Sequence, residues 1–196
     1  MHMDSATMTQ PEMAMTKFSL IQLSDELVTL VDSDHYEKLN SWNWCATEND
    51  RGKYYAHRRV RDETGKNWNI YMQRFLLDAG PGMYVDHING NTLDNRMQNL
   101  RFCTPSQNGA NRRKSSGTSK YKGVFWNSQR SVWQAALKTG GRRYYLGSFL
   151  VEEDAASAYD AKALATWGEF ALLNLAQGAV QTTTNVPTIE EIIRSL

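Results

Sequence analysis

Two things are scarce in this 196-residue chain, and a third is missing from one part of it. There are two cysteines, Cys45 and Cys103, far apart and without a C-x-x-C partner. That argues against both a disulfide framework and a structural zinc site, and both are read as buried thiols in a reducing compartment. No apolar run approaches the length of a membrane span. The first residues, M-H-M-D-S-A-T-M-T-Q-P-E, are polar and slightly acidic, unlike a secretory leader, so a cytoplasmic location is expected. The missing feature is negative charge: residues 95–151 hold 11 Lys and Arg and no Asp or Glu. The flanks compensate, with 9 basic and 14 acidic side chains in 1–94 and 2 basic and 7 acidic in 152–196, for a net charge of only +1. Ordinary surfaces intersperse both signs. A carboxylate-free basic block rich in Trp and Tyr is the electrostatic footprint of a nucleic-acid binder.

The most informative stretch is V-D-H-I-N-G-N-T-L-D-N-R-M-Q-N-L-R-F-C-T-P-S-Q-N, which begins at Val85. Asp86 and His87 are adjacent, Asn99 follows twelve residues after His87, and Asn108 nine further on. A carboxylate beside a histidine, with two asparagines at this spacing, can hold one divalent metal and one general base against a phosphodiester. Hydrolysis needs a deprotonated water, and neutral imidazole is the side chain best suited to take that proton near pH 7, which assigns His87 as base. A hard cation such as Mg²⁺, or Mn²⁺ in its place, keeps several waters and accepts oxygen ligands; Asp86 and Asn108 can supply them.

Local signals put these residues on a hairpin and a helix. Met83 to His87 reads as a strand, Asn89-Gly90-Asn91 as a turn, and Asn99 to Cys103 as the return strand. Thr104-Pro105-Ser106-Gln107 matches a helix start, with Thr at the N-cap, Pro in the first turn and Gln three residues on. The bland alternative is an ordinary Asn-Gly turn whose asparagines serve geometry and capping, and Asn89, Asn91 and Asn95 are assigned to that role. Taken together, Val85 to Asn111 resembles the HNH endonucleases and their ββα-metal hairpin-helix. The resemblance implies that Asn99 braces the loop presenting His87 without touching substrate or metal.

Residues 1–16 read as a disordered extension, with Met15 an alternative start. Residues 17–113 read as the endonuclease domain, beginning with a small α+β region. Phe18–Leu23 and Leu27–Val31 are expected strands and Asp34–Leu39 a short helix. Tyr54–Val60 and Trp68–Tyr71 form a hairpin, and Met72–Asp78 a helix leading to the Pro81-Gly82 turn. His57 is read as a strand residue, and Trp42 and Trp44 as core or interface anchors. Relatives of this type place His where this chain has Gln73. Residues 114–119 form a basic linker, and Arg101, Arg112 and Arg113 are assigned to DNA.

Residues 120–176 follow a second logic. Trp133, Ala135 and Leu137 alternate with polar neighbours, Thr139-Gly140-Gly141-Arg142 turns the chain, and Tyr144 and Leu146 alternate again. With a first strand at Tyr121–Trp126 this makes a three-stranded antiparallel sheet. Glu152 to Trp167 follows as an alanine-rich helix with an acidic first turn and Gly168 at its end. The segments Y-K-G-V-F-W, W-Q-A-A-L-K, Y-L-G-S-F and A-A-S-A-Y-D resemble the plant ethylene-response-factor (APETALA-type) DNA-binding domain. That domain lays its sheet in the major groove, which implies a DNA-facing set of Lys122, Lys138, Arg143 and Tyr145, with Ser148 beside it. Phe125 and Ala136 depart from the family's arginine and glutamate, so its sequence preference does not transfer. Residues 177–196 read as a flexible tail with a short helix opening at Thr188.

The fold class expected is α+β: a small α+β region leading into the ββα-metal hairpin-helix, then a three-stranded antiparallel sheet packed on one helix. The function expected is a metal-dependent homing-type DNA endonuclease, similar to those of phages and mobile introns. It would act on double-stranded DNA, in the host cytoplasm if phage-encoded. One site per chain predicts a nick unless two chains act as a homodimer on DNA. The alternative is a sequence-specific DNA-binding regulator with an inactive HNH portion.

Overall fold

The computed structural model describes residues 18–113 and 116–175, in an α+β arrangement of four antiparallel sheets and four α-helices. The expected extension at 1–16, Lys114 and Ser115 of the linker, and the tail at 177–196 lie outside the described residues. Strands β1 (Phe18–Gln22) and β2 (Val28–Asp32) form a hairpin, followed by α1 (Ser33–Asn40). Strands β3 (Cys45–Glu48), β4 (Tyr54–Arg61) and β5 (Asn67–Tyr71) form a sheet in that order, and α2 (Met72–Leu76) follows. β3 was not anticipated: Cys-Ala-Thr-Glu lacks alternation and is recruited as the edge strand of β4. Cys45 on that edge is exposed, which corrects its reading as a buried thiol, and both cysteines are free.

The core of this first region gathers residues distant in sequence, including Val31, Leu39, Trp44, Ala56 and Met72. Trp44 is buried and donates through Nε1 to Leu39 O at 2.8 Å, while Trp42 carries the Arg58 guanidinium 4.2 Å from its ring centre. Arg74 donates to the carbonyls of Ala79, Gly80 and Met83, holding the turn that feeds the next strand.

That strand, β6 (Tyr84–His87), pairs with β7 (Leu100–Cys103) in the register Asp86 opposite Arg101 and His87 opposite Leu100. Thr104 then caps α3 (Pro105–Ala110) in a complete capping box with Gln107. β2 does more than pair with β1. Leu30 N donates to Leu93 O and Asn95 N donates to Leu30 O, both at 2.8 Å, so the N-terminal hairpin grips the β6–β7 loop as a further parallel partner.

Strands β8 (Val124–Asn127), β9 (Val132–Thr139) and β10 (Arg142–Phe149) make the last sheet, with α4 (Glu152–Trp167) across it. Gly140 and Gly141 both have positive φ, as a two-residue hairpin of this twist requires. Val124, Ala135 and Leu137 face α4, where Ala155, Ala156, Tyr159 and Ala163 are buried against them. Trp126 and Trp133 lie opposite one another in register and meet edge-on at 5.0 Å. Among the described residues no helix is long and apolar enough to cross a membrane.

The second region sits on the first through the end of α3. Trp167 Nε1 donates to Ser106 Oγ (3.0 Å), Leu172 N to Ala110 O (3.3 Å) and Lys122 Nζ to the carbonyls of Gly109 and Ala110. Gly123 sets how closely sheet and helix approach. It has φ +75°, and a β-carbon there would fall inside the Tyr159 ring and 2.8 Å from Ala136 O. Gly123→Ala is therefore expected to destabilise the protein by at least ~1–3 kcal/mol, the usual cost of overpacking a dense core, as read by chemical denaturation. Unchanged stability would show that α4 can lift from the sheet at no cost.

Candidate active site

β6 presents Asp86 and His87 to opposite sides, because neighbours on a strand alternate, and both border one cavity of about 890 Å³. The cavity is walled by β6, the turn after it, α3 with Arg112 and Arg113, and the β3–β4 connection carrying Arg51, Lys53 and Tyr55. Asn108 and Asn111 lie on the α3 side.

Asp86 is 7% exposed and heavily engaged. Arg101, its cross-strand partner, donates through Nε and Nη2 to Asp86 Oδ2 at 3.1 and 3.0 Å. The same guanidinium donates to Glu169 O at 3.0 Å and lies 4.1 Å from the Phe170 ring centre. Arg101 is thus committed to the site and to the second region, which corrects its assignment as a free DNA contact.

Asn111, which sequence reasoning passed over, is the amide that reaches Asp86. Its Nδ2 lies 3.1 and 3.0 Å from the two carboxylate oxygens, 2.9 Å from His87 O and 3.3 Å from Ile88 O. Asn108 makes no side-chain hydrogen bond within the protein; it lines the cavity one turn earlier on the same face of the chain. Spacing could have flagged Asn111, since positions three apart share a helix face.

His87 is 4% exposed, and burial lowers its pKa below 6.5, more than Asn95 and Asp86 raise it. A neutral ring near pH 7 follows. Tyr55 meets the imidazole edge-on at 6.3 Å between ring centres, and burial raises the Tyr55 pKa while Arg112 and Arg51 oppose the rise. Lys53 Nζ donates to Gly90 O at 3.0 Å, tying β4 to the turn.

Asn99 spans the loop between the strands. Its Oδ1 accepts from Asn89 N (2.9 Å) and its Nδ2 donates to Asp94 O (2.8 Å). Asn89 Nδ2 donates to Asp94 Oδ2, and Asp94 pairs with Arg96 at 2.6 Å in a buried ion pair. Asn95, assigned above to turn geometry, is fully buried with its Oδ1 3.2 Å from His87 Nε2. That placement corrects its reading as a turn residue.

The surroundings of Asp86 fit a hard divalent cation. Four oxygens converge around Asn111 Nδ2, more acceptors than one NH₂ can serve, and Asn108 adds an uncommitted amide nearby. One carboxylate plus neutral oxygens suits a cation that keeps much of its water. No three His, Cys, Asp or Glu side chains gather to hold a metal among the described residues, so a closed zinc centre is not the match.

On the outer face of the last sheet, Lys138 lies opposite Arg143 and Ala136 opposite Tyr145. Lys138, Arg143 and Tyr145 are exposed; Arg143 lies 4.7 Å from the Phe125 ring centre, and Tyr145 Oη bonds Ser148 Oγ at 2.6 Å. Lys122 departs from this set. Its ammonium is spent on the Gly109 and Ala110 carbonyls, and burial brings its pKa down to about 8. It joins the two regions and does not share the exposed face.

Residues 79–110 match the HNH endonuclease family. The chain is 36% identical over 64 residues to Protein 3.8 of Escherichia phage T7, covering 32% of this chain and 53% of that protein. It is 38% identical over 92 residues to an HNH endonuclease of Acanthamoeba polyphaga mimivirus, covering 47% of each. It is also 44% identical over 69 residues to an AP2-like ethylene-responsive transcription factor of Arabidopsis thaliana, covering 32% of this chain and 14% of that protein. The chain spans about half the length of the viral relatives it matches.

Arg101→Leu leaves a nearly buried carboxylate without its counter-charge and is expected to cost about 3–5 kcal/mol. Added Mg²⁺ should then raise the melting temperature of Arg101→Leu more than that of the wild type. Equal shifts would mean that Asp86 is not where the cation binds.

Proposed function

We propose that this chain, which joins an HNH endonuclease segment to a stretch like AP2-type transcription factors, is a divalent-metal-dependent DNA endonuclease. The observation that carries the reading is the single cavity bordered by a buried histidine, a carboxylate and two amides, with Arg51, Lys53, Arg112 and Arg113 around it. In this reading His87 takes the proton of the attacking water, and its lowered pKa keeps it ready to do so at neutral pH. The four basic side chains hold the phosphates on either side, where most of the affinity of a protein for DNA arises. Arg101 and Asn111 keep Asp86 in place, and Asn99 braces the loop behind the histidine. A divalent cation, Mg²⁺ or Mn²⁺, held by Asp86 and Asn108 would offset charge on the phosphate and the departing oxygen.

The sheet β8–β10 would supply targeting. Lys138, Arg143 and Tyr145 form one exposed row on it, and each good base contact in the major groove contributes about 1–3 kcal/mol of discrimination. The domain limits that go with this reading are 17–113 for the cutter and 120–176 for the targeting module, joined by 114–119. Tethering keeps the cutter concentrated near the bound site. The substrate is double-stranded DNA, and a homodimer would be needed to cut both strands in one event.

Nicking of supercoiled plasmid tests the reading. Wild type with Mg²⁺ should relax the plasmid, EDTA should stop it, and His87→Ala should lower the rate by about 10²–10⁴ while binding persists. Binding without cleavage by wild type, on host and random DNA alike, would favour the regulator. Because burial holds the His87 pKa down, the acid limb of the nicking rate should lie below pH 6.5, with a plateau above it. A limb well above 6.5 would assign the base elsewhere. The double variant Lys138→Ala, Arg143→Ala should weaken DNA binding and flatten its salt dependence by about two phosphate contacts, with basal nicking at high protein concentration retained. Unchanged affinity would remove the sheet from the DNA interface.

A further inference from the structure

We propose that Asn95, anchored by Thr29, fixes the proton of neutral His87 on Nε2 and leaves Nδ1 as the nitrogen that accepts a proton in the cavity. The role of Nδ1 rests on His87 being the base, while the placement of the proton does not.

The argument is one of hydrogen-bond polarity, read along a chain of four groups. Thr29 Oγ1 lies 2.8 Å from Leu93 O, and a backbone carbonyl can only accept. The single hydroxyl proton of Thr29 is therefore spent on Leu93. Asn95 approaches the same oxygen at 2.8 Å and must donate to it, which makes the atom there Nδ2 and turns Oδ1 toward His87. An amide oxygen can only accept, so the ring nitrogen 3.2 Å away must carry a proton. That nitrogen is Nε2. In the neutral ring Nδ1 then holds the lone pair. It has no hydrogen-bond partner among the described residues, and the residue borders the cavity.

Burial makes the relay binding. Thr29 and Asn95 are fully buried and His87 is 4% exposed, so water cannot stand in for a missing partner. Leaving any member unsatisfied would cost the desolvation of a buried polar group. The relay is held at both ends by backbone: Leu30 N donates to Leu93 O, and Asn95 N donates to Leu30 O. Asn95 is thus a positioning residue, acting on the reaction only through His87, and β2 is its support.

The test is histidine side-chain NMR on the full-length, ¹⁵N-labelled protein in EDTA at a pH where His87 is neutral, with the His87 signals assigned by their loss in His87→Gln. A free neutral imidazole already favours the Nε2–H form, so the decisive readout is the exchange of that proton with water. In the wild type Nε2 should be protonated, with its proton visible and slow to exchange. Asn95→Leu, similar in size and without an acceptor, should speed that exchange at least about tenfold and lower nicking by about 10–100-fold. Asn95→Asp keeps an acceptor and should retain the slow proton. Thr29→Val keeps the shape of the anchor without its hydroxyl, and should speed the exchange if the relay reaches β2.

A wild-type ring protonated at Nδ1 would overturn the proposal, as would unchanged exchange in folded Asn95→Leu. Should Asn95→Leu fail to fold, Thr29→Val decides, and unchanged exchange there overturns the relay. A slow Nε2 proton in a chain that cuts no DNA would leave the relay standing and remove the nuclease reading.

Discussion

Strand alternation is the constraint on which the rest of this molecule depends. Asp86 and His87 are adjacent on a four-residue strand, so they must leave it on opposite sides and cannot share supports. Asp86 turns toward Arg101, Asn111 and, through Arg101, the Glu169–Phe170 turn of the last region. His87 turns toward Asn95 and Tyr55, and through Asn95 to Thr29 of the first hairpin. The hairpin β6–β7 is too small to have a core of its own. It is held on one side by the start of the chain and on the other by its end, and the cavity opens between them.

The same geometry changes how the basic block is read. Of its 11 cations, Arg96 is buried against Asp94, Arg101 is bound to Asp86, and Lys122 closes the end of α3. Each partner is a carboxylate or carbonyl that would otherwise be left unpaired away from water. What remains outward is divided between the cavity rim, at Arg112 and Arg113, and the sheet, at Lys138 and Arg143. A charge count alone could not separate these groups, because it carries no information about partners.

What was legible in the sequence was local. The Thr104 capping box, the Gly140-Gly141 turn and both ends of α4 at Glu152 and Trp167 were readable because the neighbouring residues decide them. The α+β class and the three-stranded sheet with its helix followed from periodicity. β3 was not legible, since an irregular edge strand is defined by the partner it joins. Asn95 looks like any other asparagine near an Asn-Gly turn until β2 arrives beside it, 66 residues away in sequence. The Arg101 partnership was within reach: counting back from the Asn89-Gly90 turn puts it directly opposite Asp86 on the ladder, where opposite charges favour one another.

The bond from Arg101 to Glu169 O closes a loop of 68 residues, and the one from Asn95 to Thr29 a loop of 66. Contacts of such separation form late, after the entropy of long loops has been overcome. A chain emerging from the ribosome N-terminus first can support its histidine as soon as β7 has appeared. Its carboxylate acquires the full clamp only after nearly the whole last sheet and helix have been made. The two halves of the site therefore mature at different times, and a truncated product ending before Glu169 would carry a positioned histidine beside a loosely held carboxylate.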